Sequence, residues 1–394
     1  MKQIDEYTLF SNRDEILARI LPGKPILRRE LVKETRLSPA TVFRITRELV
    51  GQRVLKETPP SRGAVGRPSA VLELNEEFGS VLGCSLSMDT AQALLLNLRG
   101  EILLEMREPF DCRQGSAAIL QALRKVVTDV QKNSPVNTPP LFGAGIAVPG
   151  KLNKNAGVSI SFPRVADWQN VPIAKIINEL TQVPVSVMGY GPSLALGEMA
   201  KRTEHDVRGL LCIEVAENIA MGMIFNGQLL EGVSGNAGEL GHIPIERSGP
   251  VCYCGNQGCL ETLATCTAVV DEIRRTKTAL GGLSEAEITY ERIVELAQKG
   301  DSFAKRLLGR VATVLADGVA IAVNILNPDV LVLSGRFFEA GELVMVPLLN
   351  SFHNRAFPVM AENLKIERSG MGREAPAFGA GVLAVRQALC RLTA

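Results

Sequence analysis

One arrangement of short strands and helices occurs twice in this 394-residue chain, and that repetition limits the fold more than any other feature of the sequence. The first copy opens with three β-rich runs, over 79–87, 90–98 and 101–110. A helical segment over 115–132 follows, and then an apolar run over 141–148 that has the length and composition of a buried strand. A three-strand meander, a helix and a buried strand together predict an α/β lobe.

The second copy follows the same order. Its β-rich runs cover 209–216, 219–225 and 228–232, with the hairpin dipeptide Asn226-Gly227 between the last two, and its buried strand covers 329–335. Two such copies predict two α/β lobes that face a cleft, which is the plan of actin-like sugar kinases. In that plan the nucleotide and the sugar bind between the lobes.

A cluster of cysteines follows the second meander. Three cysteines lie within eight residues and a histidine precedes the first of them by ten, so one nitrogen and three sulfurs are available to one ion. The candidate ligands are His242, Cys252, Cys254 and Cys259. This is a closed set suited to tetrahedral Zn²⁺, and Gly255 and Gly258 allow the chain to turn tightly around it. Because four protein ligands leave no position for water, we expect a structural zinc; a cluster of free thiols is the alternative.

The first 75 residues, here called the head, have a different pattern. Helices are predicted over 12–21, 26–35 and 39–51, and Ser38-Pro39 supplies an N-cap residue followed by one suited to the first helical position. Residues 54–75 have the pattern of two strands around a basic tip rich in Gly and Pro. These elements predict a winged helix-turn-helix whose third helix enters the major groove of DNA.

The charge of the head supports nucleic-acid binding. The head carries 14 basic and 9 acidic side chains, a net charge of +5, whereas the remaining 319 residues carry 29 and 33, a net charge of −4. The DNA-binding candidates are Ser38, Thr41, Arg44, Arg47, Arg62 and Arg67. We expect Thr41 and Arg44 at base edges, and the last three arginines at phosphates or in the minor groove. A small helical dimerisation or capping domain with a solvated basic loop is the alternative.

Composition argues against several other classes of protein. The chain is 46% hydrophobic and 22% charged, which is typical of a globular protein. Its longest apolar stretch, Val311 to Leu333, is interrupted by Asp317 and Asp329 and so cannot cross a bilayer as one helix. Residues 1–15 lack the apolar core of a secretory signal, so we expect a cytoplasmic protein without membrane insertion. In such a reducing compartment, the eight cysteines do not form a disulfide framework.

Five motifs resemble those of one known family. They are GAGIAVPGKLN (143–153), DWQNVPI (167–173), SGNAGELGH (234–242), CYCGNQGCLE (252–261) and NPDVLVLSG (327–335). Together with the head, they make the chain similar to the ROK proteins (repressors, open reading frames, kinases), and within that family to the regulators with a winged helix-turn-helix. The resemblance implies an α/β fold in which a winged helix-turn-helix precedes a two-lobed, actin-like (RNase H-like) sugar-kinase domain.

The resemblance also implies domain boundaries. Residues 1–76 form the DNA-binding domain, and residues 77–190 with 376–394 form the first lobe. Residues 191–375 form the second lobe, which carries the zinc loop.

The chain differs from the family's kinases at three places. A loop of the Asp-x-Gly-Gly-Thr type corresponds to residues 85–89, which contain no glycine. The second phosphate loop corresponds to residues 216–222, which keep one glycine and include Glu217, whose charge repels phosphate. The catalytic Asn-Asp pair corresponds to Gly189-Tyr190, and a tyrosine, with an ordinary pKa of about 10, suits a general base poorly. We therefore expect no kinase activity; a bifunctional sugar kinase with a DNA-binding head is the alternative.

The family's sugar-binding positions are better preserved. By resemblance, the effector contacts are Asn170, Glu239, His242 and Glu261, with Pro149-Gly150 as the floor of the site. His242 would reach the sugar through the ring nitrogen that does not bind the metal. The alternative gives Glu239 and Glu261 only a supporting role around the zinc loop. Gly189 and Tyr190 imply an altered ligand, or one that stacks on Tyr190.

These features together predict a cytoplasmic transcriptional regulator of carbohydrate-metabolism genes, a repressor rather than an activator, that is controlled by a sugar or a sugar derivative. Its expected partners are double-stranded operator DNA and a second copy of the chain in a homodimer, with a homotetramer left open. Two further alternatives are a zinc-responsive regulator, in which the metal is the signal, and a structural scaffold.

Overall fold

The computed structural model of the chain describes residues 12–20, 25–35, 37–58, 70–202, 207–276 and 284–391. Two predicted DNA contacts, Arg62 and Arg67, lie outside the described residues, as does the tip of the predicted wing.

The chain divides into two compact units. Unit 1 holds the described residues of Met1–Met188, Ala200–Thr203 and Pro376–Ala394, and unit 2 holds those of Gly189–Met199 and Glu204–Ala375. The division into three functional domains stays a prediction, since the head belongs to the first of these two units.

The head consists of three helices and a small antiparallel sheet. In chain order its elements are α1 (Asn12–Arg19), β1 (Ile26–Leu27), α2 (Arg28–Thr35), α3 (Pro39–Gly51), β2 (Leu55–Thr58) and β3 (Val71–Leu74). The helix predicted over 26–35 begins two residues late, because Ile26 and Leu27 pair with Leu72 and Val71 of β3. Pairing with a distant strand here overrides the local helical pattern.

The rest of unit 1 is built on a five-stranded sheet with the order β11-β7-β4-β5-β6. The elements are β4 (Ser80–Leu86), β5 (Thr90–Asn97), β6 (Ile102–Pro109), α4 (Ser116–Lys132), β7 (Leu141–Val148), β8 (Leu152–Asn153), β9 (Val158–Phe162), β10 (Val165–Val171), α5 (Ile173–Thr181) and β11 (Val185–Gly189). The sequence did not indicate the small sheet of β8, β9 and β10. Helix α4 buries Ile119, Leu123 and Val127 in the core.

Unit 2 repeats this plan in a second five-stranded sheet, with the order β14-β13-β12-β15-β16. The elements are α6 (Tyr190–Lys201), β12 (Gly209–Val215), β13 (Ile219–Phe225), β14 (Gln228–Leu229), α7 (Leu260–Leu263), α8 (Cys266–Thr276), α9 (Tyr290–Gln298), α10 (Ser302–Leu326), β15 (Val330–Ser334), α11 (Glu342–Arg355), α12 (Pro358–Asn363), β16 (Lys365–Arg368) and α13 (Ala375–Arg391). Most of α6 belongs to unit 2 and most of α13 to unit 1.

The two sheets share one pairing scheme. The first meander strand, β4 or β12, pairs antiparallel with the next strand, β5 or β13. It pairs parallel with a later strand, β7 or β15. The predicted repeat of an α/β unit is therefore confirmed.

The long apolar stretch of the sequence does not form one helix. Helix α10 is long and apolar enough to cross a membrane by length and composition, but 56% of its most apolar window is buried inside the protein. Leu308, Leu315 and Val319 of α10 lie in the core of unit 2. Asn327, with φ +45°, ends α10, and the remaining apolar residues form β15.

Candidate functional site

Helix α3 of the head begins at a defined N-cap, Ser38. Ser38 Oγ accepts a hydrogen bond from the Thr41 N–H at 3.1 Å and lies 2.8 Å from Thr41 Oγ1. Arg44 and Arg47 are exposed on the same helix. Arg44 donates to Glu48 Oε1 at 2.9 Å, and an exposed pair of this kind contributes only about 0–1 kcal/mol. Arg44 can therefore exchange Glu48 for a DNA acceptor at little cost.

The four predicted metal ligands converge in unit 2. The ligand atoms of His242, Cys252, Cys254 and Cys259 all lie within 4.8 Å of one another. His242 Nδ1 is 3.6 Å from Cys252 Sγ, and Cys254 Sγ is 3.7 Å from Cys259 Sγ.

These separations fit a zinc ion. With bonds of about 2.3 Å to sulfur and about 2.0–2.1 Å to nitrogen, tetrahedral geometry places two sulfurs about 3.8 Å apart and a sulfur and a nitrogen about 3.5 Å apart. The observed 3.7 Å and 3.6 Å agree with both values. The residues present can therefore hold one Zn²⁺ with all four positions filled by protein.

Backbone contacts shape the cysteine loop, residues 242–261. The Cys252 N–H donates to Asn256 O at 2.8 Å, and the Gly255 N–H donates back to Cys252 O at 3.0 Å. Gly258 has φ +67°, and a Cβ there would lie 1.6 Å from Glu246 O, so only glycine fits at this position. The fold of the loop is thus set by the backbone as well as by the ligands.

The three thiols differ in how readily they ionise. Burial raises the pKa of Cys254. The Asn256 N–H and contacts with Cys252 and Cys259 lower it by a larger amount, so the net pKa of Cys254 lies below the ordinary value. Burial raises the pKa of Cys259 to about 12. Since the thiolate is the form that binds metal, Cys254 is the ligand most readily available.

The second ring nitrogen of His242 faces Tyr253, a residue that the sequence analysis missed. His242 Nε2 lies 3.0 Å from the Tyr253 hydroxyl, and the two rings meet edge to face with centroids 5.1 Å apart. If Nδ1 bound a metal, Nε2 would carry the proton and its N–H would donate a hydrogen bond to the tyrosine oxygen. The only hint in the sequence was an aromatic side chain between two cysteine ligands.

Glu239 lies beside the same histidine nitrogen. Its Oε2 is 3.7 Å from His242 Nε2. Partial removal from water and the nearby Glu261 raise the pKa of the Glu239 carboxyl, while His242 lowers it. Two of the predicted effector contacts, Glu239 and His242, therefore lie together.

Glu261 lies deeper than an effector contact requires. Its side chain is 2% exposed, and its Oε2 accepts a hydrogen bond from the Ile219 N–H at 3.2 Å. The carboxylate thereby joins the end of the cysteine loop to the start of β13. This contact is compatible with the supporting role around the zinc loop, and the role of Glu261 as an effector contact stays a prediction.

Asn170, the fourth predicted effector contact, belongs to unit 1. Two neighbours in its motif have structural roles: Asp167 accepts from the Ser116 N–H at the start of α4, and the buried Trp168 donates to Ser159 Oγ at 2.9 Å. The Ser116 N–H lowers the pKa of Asp167. Asn170 itself has φ +50° and an exposed side chain, which leaves its amide available to a ligand.

The first turn, residues 85–90, joins β4 to β5. Ser87 Oγ accepts from the Thr90 N–H at 3.0 Å and donates to Asp89 Oδ1 at 2.8 Å. The Thr90 N–H is therefore bonded within the turn, and the Asp89 carboxylate is bonded to the same hydroxyl.

The second turn, residues 216–222, joins β12 to β13. The Ala216 N–H donates to Asn218 O at 3.0 Å, and Glu261 accepts from Ile219 as described above. Glu217 forms an ion pair with Arg336, which also lies 3.3 Å from Glu291. Glu261 and an ion-paired Glu217 therefore both contribute to this turn.

Tyr190, at the position of the kinase base, is half-buried at the start of α6. Its hydroxyl donates to Glu214 Oε1 at 2.9 Å, and Glu214 is 9% exposed at the end of β12. The hydroxyl is therefore engaged by a carboxylate of the same unit.

Comparison with known proteins identifies the family of this chain and several similar proteins. A family model described as the ROK family matches residues 81–387. The xylose repressor of Caldicellulosiruptor bescii is 30% identical over 376 residues, which is 93% of this chain and 94% of the relative. The transcriptional dual regulator NagC of Escherichia coli is 28% identical, over 93% of this chain and 90% of NagC.

Two solved structures resemble the chain. A ROK family transcriptional regulator, a homologue of the E. coli MLC protein, has a TM-score of 0.78 and 27% identity and covers 96% of this chain and 97% of its own. A ROK family glucokinase from Streptomyces griseus, in complex with glucose and AMPPNP, has a TM-score of 0.68 and 24% identity and covers 78% of this chain and 100% of its own. The second likeness concerns the fold alone.

Proposed function

Because this chain belongs to the ROK family, we propose that it is a sugar-responsive transcriptional repressor of carbohydrate-metabolism genes. The observation that carries the proposal is 30% identity to a xylose repressor over 93% of the chain. Because the alignment covers so much of the 394 residues, it must include part of the 75-residue head as well as the body. The capped and exposed face of α3 supplies the chemistry for operator DNA, in agreement with the sequence analysis.

DNA binding rests on Ser38, Thr41, Arg44 and Arg47 in the described head, and on Arg62 and Arg67 outside it. In a homodimer, two heads would occupy the two halves of a palindromic operator. Arg99 of the first sheet lies 3.5 Å from Glu73 of β3, which gives the head a contact to the body of unit 1. A sugar lowers operator affinity only if it binds the DNA-competent state less tightly than the alternative state.

The effector would be a sugar or sugar derivative held in unit 2 by Glu239 and His242, with Glu261 as a third candidate, and the contact predicted for Asn170 of unit 1 stays a prediction. Carboxylates, an amide and an imidazole are the groups that bond adjacent sugar hydroxyls. The buried bond from Glu261 to Ile219 supports an indirect role, in which this carboxylate connects the cysteine loop to the start of β13.

The zinc we propose is structural. It would hold the cysteine loop closed through His242, Cys252, Cys254 and Cys259, and with all four positions filled by protein it would supply no reactive water. Glu239 and Glu261 lie on either side of these ligands in the chain, so the ion would fix both carboxylates.

We further propose that the chain is not a kinase. Phosphoryl transfer requires backbone donors for phosphate and a base for the attacking hydroxyl. Here Ser87 accepts from the Thr90 N–H of the first turn, Glu261 accepts from the Ile219 N–H of the second, and the hydroxyl of Tyr190 is engaged by Glu214. These contacts support a regulator of the cytoplasm that keeps the kinase fold without its reaction.

The decisive experiment measures operator binding by the full-length protein. Duplexes selected from a random pool should show a palindromic consensus, and a thermal-shift screen of monosaccharides and sugar phosphates should identify an effector that weakens this binding. A variant lacking residues 1–75 should keep the effector response and lose DNA binding. Sugar-dependent ATP hydrolysis by the purified protein would contradict the assignment as a repressor without kinase activity.

A further inference from the structure

Helix α3 carries an aromatic side chain that the repressor fold does not need for its core. Phe43 is 54% exposed. Within the part of the head that the structure describes, it is the only large apolar side chain with this degree of exposure. The opposite face of α3 buries Val42, Ile45 and Leu49, so Phe43 makes no contribution to packing on that face. A single exposed apolar side chain is common on protein surfaces, so what Phe43 binds has to be argued from the groups around it.

The guanidinium group of Arg28 packs against one face of the Phe43 ring. The guanidinium carbon of Arg28 lies 5.4 Å from the centre of the Phe43 ring, within cation–π distance. Arg28 is itself fixed, since its Nε donates to Thr46 Oγ1 at 2.8 Å and it forms an ion pair with Glu57. One side of the ring therefore rests on an immobilised group, which reduces the entropy that the ring would lose on binding.

The surroundings of the ring fit DNA better than a protein partner. Phe43 and Arg47 are four residues apart and so lie on one side of α3, and Arg44 follows Phe43 on the same exposed surface. The proposed function places α3 in the major groove, where an apolar ring flanked by arginines would meet a surface that is both anionic and locally apolar. The thymine C5-methyl is the apolar group that the major groove presents at base edges.

We propose that Phe43 packs against a thymine methyl in the major groove and thereby selects thymine at one position of each operator half-site. The proposal rests on the proposed function of the chain as a DNA-binding repressor. It assigns sequence discrimination to a residue that makes no hydrogen bond to a base, alongside the polar contacts expected of Thr41 and Arg44.

The test uses full-length protein and duplexes that it selects from a random pool. Each thymine of the selected half-site is replaced in turn by uracil, which removes only the methyl group. The wild-type protein should lose affinity about fourfold at one position per half-site, the value for one buried methyl group. Phe43→Ala should bind the thymine duplex more weakly and should no longer distinguish thymine from uracil at that position.

Three controls separate recognition from folding. Phe43→Leu should retain part of the discrimination, because it retains an apolar side chain. Val136→Ala, at an exposed apolar residue outside the head, should change nothing. The salt dependence of binding should be the same for Phe43→Ala as for the wild type, whereas Arg47→Ala should reduce the slope by about one counterion.

Equal discrimination between thymine and uracil by wild type and Phe43→Ala would overturn the proposal while leaving DNA binding intact. So would a changed salt slope in Phe43→Ala, because it would show that the variant disturbs phosphate contacts. If the wild-type protein selects no duplex at all, the proposed function fails, and this inference fails with it.

Discussion

The two turns that follow β4 and β12 occupy equivalent places in two sheets with the same pairing scheme, yet they are closed in different ways. The first turn is closed from within, by the hydroxyl of Ser87 on the Thr90 N–H. The second has an internal bond from the Ala216 N–H to Asn218 O and is also held from outside, by Glu261, which lies 42 residues away from its partner Ile219, and by the ion pair of Glu217 with Arg336. Long-range side-chain contacts therefore hold the second turn, whereas the side-chain contacts described for the first turn lie within it.

This difference links the second turn to the cysteine loop. Glu261 follows Cys259 by two residues and lies in the first turn of α7, so whatever fixes the cysteine loop also fixes the carboxylate. No equivalent dependence exists among the contacts described for the first turn. A perturbation of the metal should therefore reach the second turn and leave the first unchanged.

Loss of the metal should have the largest effect. Replacing Cys259 by serine, or extracting zinc with a strong chelator, should remove bound zinc and lower the local free energy of opening across the cysteine loop by about 3 kcal/mol or more. Hydrogen exchange should accelerate at residues 242–261 and at Ile219, and stay unchanged over 85–90. Cys266→Ala, in the same unit but outside the ligand set, is the matched control. Faster exchange in both turns would show that they are not independent.

Removing the carboxylate of Glu261 should have the next largest effect. Glu261→Ala leaves the buried Ile219 N–H without its acceptor, which costs about 1–3 kcal/mol of unfolding free energy. Glu261→Gln keeps a side-chain oxygen and should recover most of that stability. Denaturant unfolding measures the cost, and zinc content measured by mass spectrometry should be unchanged in both variants. A loss of zinc in Glu261→Ala would reverse the proposed direction of dependence.

Ser87→Ala should produce a smaller effect, confined to the first turn. It removes the acceptor for the Thr90 N–H and the donor to Asp89, with a cost of about 1 kcal/mol. Ser87→Thr keeps the hydroxyl and should be close to neutral. Exchange at residues 85–90 should accelerate in the alanine variant while Ile219 keeps its protection.

The same contrast explains what could be predicted from the sequence. The metal ligands could be predicted because their spacing is short and their chemistry is specific, and the cap at Ser38 because it depends on residues only three apart. The hydrogen bond between Glu261 and Ile219 could not be predicted, because the fold of the whole unit brings these two distant residues together. The strand at Ile26 and Leu27 was predicted as helix for the same reason.

The smallest effect is expected at Arg336, and it tests whether the second turn depends mainly on the buried carboxylate or on the surface charges. Arg336→Ala removes an ion pair whose partners are partly exposed, so it should cost no more than about 1 kcal/mol. Salt should reduce the difference between this variant and the wild type, because exposed charges are screened, whereas the cost of Glu261→Ala should persist at high salt. Denaturant unfolding at two salt concentrations measures both. If Arg336→Ala costs as much as Glu261→Ala at high salt, the second turn is closed mainly by its ion pair, and its dependence on the metal loop is correspondingly weaker.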